Sequence, residues 1–491
     1  MRTSLAAATV LALATALLSS CAVGPDFHAP TASSAQSYTP TPVPSQTGAS
    51  DVLAGQAQVL DPTQSLPADW WVVFHNEALD GLVRLGLDNS PSIQAARQAL
   101  KAAEETYDAQ TASLFFPSAN AQLGATRQRL SPATFGQPNA PAAIYNLYSG
   151  SVGVTYRPDV FGGSRRIAEG YQAAVDFQRY ELEAAYLSLT ANLVTTAIGQ
   201  ASLRAQLAAT QQMLASQQST LAIVESRAKA GAASKADVLA QQAQVALTQA
   251  QLPPLQKALS QTGHRLAVLV GQSPSYDQIP DFELSGFALP GQLPVSLPSE
   301  LVHNRPDIQA AEAQLHQASA NVGVATANLY PQLNLSASIG AQSATTGTLL
   351  DAASRAWSLG AGVTQPLFHA GELLARRKAA QAQYEAARAS YQGTVLAAFQ
   401  QVADTLRAIQ WDATALQAAA EANSVAQQSL ALTQSQYVAG AVSYLTLLNA
   451  QRVALDASRN LVQAQALRFT DSATLYAALG GGWWNRAEGT K

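Results

Sequence analysis

The chain has 491 residues, a net charge of −4, and only 12% charged against 48% hydrophobic residues. That balance points away from nucleic acid and from strongly charged partners, and no block of like charge forms a basic arm or an acidic tail. So low a charge content suits surfaces that meet other helices or lipid.

Residues 1–20 have the form of a signal peptide. Arg2 gives a positive start, and Leu5 to Leu18 is an apolar run too short for a comfortable membrane span. The run ends Leu18-Ser19-Ser20-Cys21, which resembles a bacterial lipobox and makes Cys21 the expected lipidation site. Cys21 is the sole cysteine, so an intrachain disulfide is excluded. In such lipoproteins an Ala at position 22 in place of Asp implies sorting to the outer membrane. After the signal no run of about 18 apolar residues occurs, so no transmembrane helix is expected. Barrel strands would escape that test, because their apolar residues alternate.

Residues 21–70 read as a lipidated tether, since Pro30 to Pro67 is rich in Pro, Ser, Thr and Gln with little apolar pattern. Trp70-Trp71 and Phe74 open the ordered part as an interface belt or a docking patch. From there the chain says nearly the same thing twice. NSPSIQAARQAL from Asn89 is repeated as NRPDIQAAEAQL from Asn304, AGAAS from Ala230 as AGAVS from Ala439, and both copies close on a Gly at 271 and 480. The spacing of Gly231 from Gly440 equals that of Gly271 from Gly480. Tandem similarity of this kind makes one unit used twice, with repeats at 71–285 and 286–480 and a tail at 481–491.

Each repeat opens on a helix, over Glu77 to Leu114 with a break at Ser90-Pro91, and over Ser299 to Leu329; Ile93, Ala96, Leu100 and Ile308, Ala311, Leu315 recur at helical spacing. Two strand candidates follow in each. Leu333, Leu335, Ala337 and Ile339 alternate with Asn334, Ser336, Ser338 and Gly340; Trp357, Leu359, Ala361 and Val363 alternate with Ser358, Gly360, Gly362 and Thr364. Tyr148 to Tyr156 matches them, and the stretch after Pro117 is a weaker member. Each is about ten residues, the length of a tilted barrel strand. The polar faces carry almost no charge, which suits a wet lumen.

Ser164 to Lys229 and Glu372 to Val438 contain no proline. A helix of about 67 residues is on the order of 100 Å long, so the hairpin tips are expected about that far from the strands. Gly231 and Gly440 break these helices, and Ser234 and Ser443 can cap the returning ones. A lean Ala/Gln hairpin is unlikely to stand alone. Four strands cannot close a barrel, and open edges are forbidden in lipid. The physics therefore asks for an oligomer, and the polar strand face favours three chains over two.

CAVGPDFHAP, WWVVFHNEAL, PLFHAGE, YVAGAVSYLTLLNAQR and the terminal LGGGW, in this order and around a duplication, resemble the TolC-like outer-membrane efflux channels of the lipid-anchored OprM type. The resemblance implies an α + β membrane protein with four barrel strands per chain, a trimeric twelve-stranded β-barrel and a periplasmic α-helical barrel. It implies passive conduction of small toxic compounds, a periplasmic adaptor, and an inner-membrane pump of the RND type that supplies energy. It also implies a gate at the helix tips, with Leu445, Asn449 and Arg452 at the constriction and Asp237 and Tyr437 linking neighbouring helix pairs. Asn449 stands where that pattern has Asp, which removes a ring of negative charge, and Val442 stands where it has the Arg of the link. Gly231, Ala232, Gly440 and Ala441 are the expected adaptor contacts, as well as turn residues. Helix packing or solvated pairing is the plainer role open to the five gate residues.

Two rivals are an enzyme and a non-spanning periplasmic scaffold lipoprotein. The six His are scattered, with no HExxH, nucleophile elbow or P-loop, so neither catalysis nor a metal or cofactor is expected. The scaffold accounts for the hairpins but not for four charge-free alternating stretches.

Overall fold

The computed structural model describes residues 23–31, 37–136, 139 and 141–486. Cys21 and the signal segment lie outside the described residues. The chain forms two compact units, and they are not the two repeats, since each unit takes part of both. The first contains residues 99–178 and 310–391 with the N-terminal segment through Pro30; the second contains 31–98, 179–309 and 392–491.

The elements in chain order are β1 (Val59–Asp61), α1 (Glu77–Asn89), α2 (Pro91–Phe115), β2 (Ser118–Leu130), β3 (Ala143–Tyr156), α3 (Gly163–Lys229), α4 (Lys235–Gln249) and α5 (Leu252–Leu269). Then come β4 (Gln292–Pro294), α6 (Pro298–Asn304), α7 (Pro306–Ala327), β5 (Gln332–Ser343), β6 (Arg355–Thr364), α8 (Glu372–Ala439) and α9 (Tyr444–Ala478). The expected interruption at Ser90-Pro91 separates α1 from α2, and Asn304-Arg305-Pro306 separates α6 from α7. In both places the proline takes the first position of the next helix, where its missing N–H is harmless. No helix among the described residues is long and apolar enough to cross a membrane.

In the first unit β2, β3, β5 and β6 form an antiparallel sheet in that order. Val152 lies opposite both Ala121 and Ile339, and Ile339 lies opposite Trp357. This register puts every apolar residue expected from the alternation on one face. The other face carries Asn120, Ser151, Ser338, Ser358 and their polar neighbours. The Ala-rich stretch after Pro117 is a full 13-residue strand, because its pairing with β3 decides its state more than its own propensity does. Among the described residues the outer edges of β2 and β6 have no partner.

α3, of 67 residues, and α8, of 68, each belong to both units, and from residues 179 and 392 on they provide the long members of the two hairpins in the second; at 1.5 Å per residue each full helix is about 100 Å. Trp70, Phe74, Leu79, Leu193, Ile198, Leu266 and Phe469 are fully buried, and Trp70 stacks on Tyr476 at 5.7 Å. The stretch expected as a tether is extended but held along residues 37–67. β1 pairs in parallel with β4, and Gln58, fully buried, donates to Ser472 Oγ (2.8 Å) and to the Pro290 carbonyl (3.0 Å). Arg468, 1% exposed, donates to the carbonyls of Ile409 and Gln56, both at 3.1 Å. A segment poor in apolar residues is thus fastened through backbone groups and one buried side-chain amide.

Candidate functional site

The two hairpin tips repeat one design. α3 ends with Gly231 at φ +76° and α8 with Gly440 at φ +78°, a left-handed region that glycine enters without a Cβ penalty. The Ala232 N–H donates to the Arg227 carbonyl at 2.8 Å, and the Ala441 N–H donates to Gln436 at the same distance. These bonds satisfy the last carbonyls of both helices and leave the loops exposed. Ser234 then caps α4 in a reciprocal box: its Oγ accepts from the Asp237 N–H (3.1 Å), and Asp237 Oδ2 accepts from the Ser234 N–H (3.0 Å). Ser443 accepts from the Thr446 N–H at 3.3 Å. Gly231, Ala232, Gly440 and Ala441 are all exposed at these tips.

The tips differ in chemistry. Arg227 reaches from the end of α3 to the end of α8, donating to the Tyr437 carbonyl at 2.7 Å and to the Val438 carbonyl, with its guanidinium 4.9 Å from the Tyr437 ring centre. Tyr437 is buried and meets Tyr444 edge-on at 6.1 Å. The Tyr444 hydroxyl donates to Gln241 Oε1 (2.7 Å), whose Nε2 donates to the Gln217 carbonyl (2.7 Å). Burial, then the neighbouring Tyr437 and Asp237, push the Tyr444 hydroxyl above its ordinary range, so it keeps its proton and stays a donor. Two turns further, Gln451 donates to Thr220 Oγ1 at 3.1 Å.

These bonds fix the rotation of α9 about its axis. Tyr444, Leu447, Gln451 and Ala454 face the helix pair and are buried. Leu445, Asn449 and Arg452 follow one another at intervals of four and three on another face, and all three are exposed, Leu445 at 72%. Leu445 is therefore not a core residue of the single chain. Asp237 is engaged in its own helix cap, and Tyr437 with Arg227 and Tyr444, so neither of the two uses its partners within the chain to hold the other. Leu445, Asn449 and Arg452 share one exposed face of α9; Asp237 is held in the α4 cap and Tyr437 in the cluster with Arg227 and Tyr444.

Sequence reasoning missed Arg227, Gln241, Tyr444 and Gln451. Alignment of the repeats carries a signal for some of this. At the common repeat spacing, Leu445, Asn449 and Arg452 correspond to Ala236, Ala240 and Ala243. One copy has a bare alanine face where the other has a large apolar, an amide and a cationic side chain.

Among the described residues no group of three or more His, Cys, Asp or Glu converges. Two groups stand out among the exposed large apolar residues. One is the sheet face with Leu123, Ile339, Trp357, Leu359 and Val363; the other is a stripe on α8 with Leu396, Trp411, Val425 and Leu432. At 100° per residue these four lie within about 60° of one another. Contiguous exposed apolar surface of this kind marks a contact with lipid or with another chain.

The family of outer membrane efflux proteins matches residues 82–272 and 297–481. The solvent efflux pump outer membrane protein SrpC of Pseudomonas putida is 30% identical over 471 residues, covering 95% of this chain and 96% of its own. The pyoverdine export outer membrane protein OpmQ of the same species is 31% identical, covering 90% and 94%. Among solved structures, the outer-membrane channel OprN superposes with a TM-score of 0.84 at 28% identity, over 94% of this chain and 100% of that one. The open state of the MtrE channel of Neisseria gonorrhoeae gives 0.78 at 25% identity, over 94% and 99%.

Proposed function

The chain belongs to the outer membrane efflux protein family, and we propose that three copies of it form the outer-membrane exit duct of a tripartite efflux system, anchored through acylated Cys21. The duct conducts small toxic compounds passively, and its energy comes from an inner-membrane pump reached through a periplasmic adaptor. The observation that carries this reading is the four-stranded sheet: apolar and exposed on one face, polar and uncharged on the other, with two edges unpaired among the described residues. In hydrocarbon each unpaired backbone group costs several kcal/mol, so β2 of one copy must meet β6 of the next. Four strands are too few to close, and twelve enclose a water-filled lumen. The α8 stripe offers the matching helical contact between copies.

In this reading Leu445, Asn449 and Arg452 of each copy line the periplasmic constriction, and Asp237 and Tyr437 support it. Gly231, Ala232, Gly440 and Ala441 meet the adaptor tip to tip. Asn449 leaves the constriction without a carboxylate ring, so the cationic Arg452 sets its charge. The test is purification in detergent, followed by gels with and without heating and by planar-bilayer recording. A trimer band that collapses on boiling and a voltage-stable pore are expected. A monomer with no channel activity would favour the scaffold lipoprotein instead.

A further inference from the structure

Every charged residue within β2, β3, β5 and β6 lies on the apolar face of the sheet. They are Arg127 and Arg129 near the end of β2 and Arg355 at the start of β6. Alternation puts Arg127 and Arg129 on the side of Leu123, and Arg355 on the side of Trp357 and Leu359. All three are exposed, and no carboxylate among the described residues pairs with any of them. They also share one end of the sheet, away from α2, which leads into Ser118, and from α8, which follows Thr364. The register sets their heights. Ser118 is aligned through Thr155 and Ser336 with Gly360, so β6 runs four residues past the first residue of β2. Tilted barrel strands need such a stagger for their feet to lie level. At the other end Leu123 is aligned through Gly150 and Ala341 with Arg355; the same stagger brings Arg355 level with Arg127. Arg355 lies about 13 Å of strand beyond Leu359, at the rim of an apolar band about 25 Å tall.

We propose that Arg127 and Arg129 of one copy and Arg355 of the next bind a phosphorylated glycolipid of the outer leaflet, one at each seam of the barrel. The inference rests on the proposed trimer, in which β2 and β6 of neighbouring copies lie about 5 Å apart. Like charges on adjacent strands repel, and a cation beside hydrocarbon persists only where its head reaches polar groups. On the lumen face water would supply them, yet that face has no charge. On the lipid face the counter-charge has to come from a lipid headgroup. The loops do not provide it: residues 131–142 have no acidic residue, and 344–354 have only Asp351. A guanidinium fork meets phosphate oxygens in pairs, and three cations on two strands call for more than one phosphate. The acyl chains of the same lipid then lie along Leu123 and Leu359 below. At the foot the apolar face ends in Ala119, Tyr156, Leu333 and Val363, so the sheet offers cations to the outer leaflet alone.

The experiment titrates the full-length, delipidated protein in detergent with bis-phosphorylated lipid A, read by native mass spectrometry. One bound lipid per seam is expected, and monophosphorylated lipid A should bind about tenfold more weakly. Arg355→Gln, and separately Arg127→Gln with Arg129→Gln, should each weaken binding by about tenfold or more, since each strips one side of the seam. Arg355→Lys keeps the charge and loses the paired donors; it should fall between, and it carries the test if the Gln variant does not assemble. Excess inorganic pyrophosphate should leave the lipid bound. Displacement by pyrophosphate would mean a site for free phosphate and would overturn the lipid assignment. Unchanged binding in the variants, or a loss confined to the variants of one strand, would overturn the site across the seam. A conducting, heat-modifiable trimer that takes up no lipid A would sink this inference and leave the exit duct standing. A parent that is monomeric has no seam and would overturn both.

Discussion

Which face of the sheet meets lipid can be decided by a pair of adjacent substitutions. Leu359 is 76% exposed and is the fifth of ten residues in β6, so it sits near mid-membrane on the face shared with Trp357, Val363 and Ile339. Ser358 precedes it, points to the opposite face and shares a hydrogen bond with Ser338 at 2.9 Å. An arginine on the lipid face near the midplane costs about 2–4 kcal/mol. A threefold assembly repeats that three times, roughly 6–12 kcal/mol per trimer, comparable to the whole stability of an ordinary domain. Leu359→Arg should therefore abolish the heat-modifiable trimer in the outer-membrane fraction. Ser358→Arg should leave the trimer in place, because its charge faces water, and should shift the reversal potential toward anions in a salt gradient. Equal loss of trimer in both variants would refute the two-faced assignment, and so would unimpaired insertion of Leu359→Arg.

Arg452→Ala removes a cation from the exposed face of α9 and should raise closed-state conductance in planar bilayers, with trimer content unchanged on gels. A bulky change at a tip, Ala441→Trp or Ala232→Trp, should abolish export in a drug-susceptibility assay while the purified pore still conducts. Arg468→Met leaves the Gln56 carbonyl without its donor, whereas the Ile409 carbonyl keeps its helical one; the loss is about 1–3 kcal/mol, visible as a lower melting temperature by calorimetry. Burial, and then the neighbouring Asp412, raise the carboxyl of Asp471 to about 8. The folded state holds that proton where the unfolded chain has released it, so stability should fall as pH rises from about 4 and level off above 8, and Asp471→Asn should flatten that fall.

The long helices were legible because proline is absent over each run and because Gly231 and Gly440 stand where only a left-handed residue fits. The strands were legible because a period of two survives even when each stretch is too short for a hydropathy window. What escaped was held by contacts distant in sequence. The β1–β4 pair has three residues on each side with no periodicity of their own. Arg227 is one arginine among several in a helix, and nothing local says that it grips carbonyls at the end of α8. Arg468 reads as a solvated helix charge until residues 54–58 fold over it. The segment from Pro30 to Pro67 fails every sequence test for a folded domain, yet residues 37–67 are held by backbone pairing and by the buried Gln58 amide, which composition does not count.

The duplication explains why fold and function separate so cleanly in this chain. Positions that set the backbone are the same in both copies: Gly231 and Gly440 turn, Ser234 and Ser443 cap. Positions on the exposed face proposed for the constriction have diverged. Arg227 corresponds to Gln436, Lys235 to Tyr444, and the alanines at 236, 240 and 243 to Leu445, Asn449 and Arg452. A threefold pore built from two hairpins per chain needs only one of them to close it, and the other can remain a plain strut. The clamp follows the same division: the arginine sits on the first hairpin and the carbonyls it holds on the second, so the strut fixes the end of the helix pair that bears the exposed face. Moving the three side chains to the first hairpin, as Ala236→Leu, Ala240→Asn and Ala243→Arg with alanines at 445, 449 and 452, should leave the trimer intact and the closed-state conductance raised. A closed pore in that variant would mean that both hairpins reach the axis equally, and the division of roles would fail.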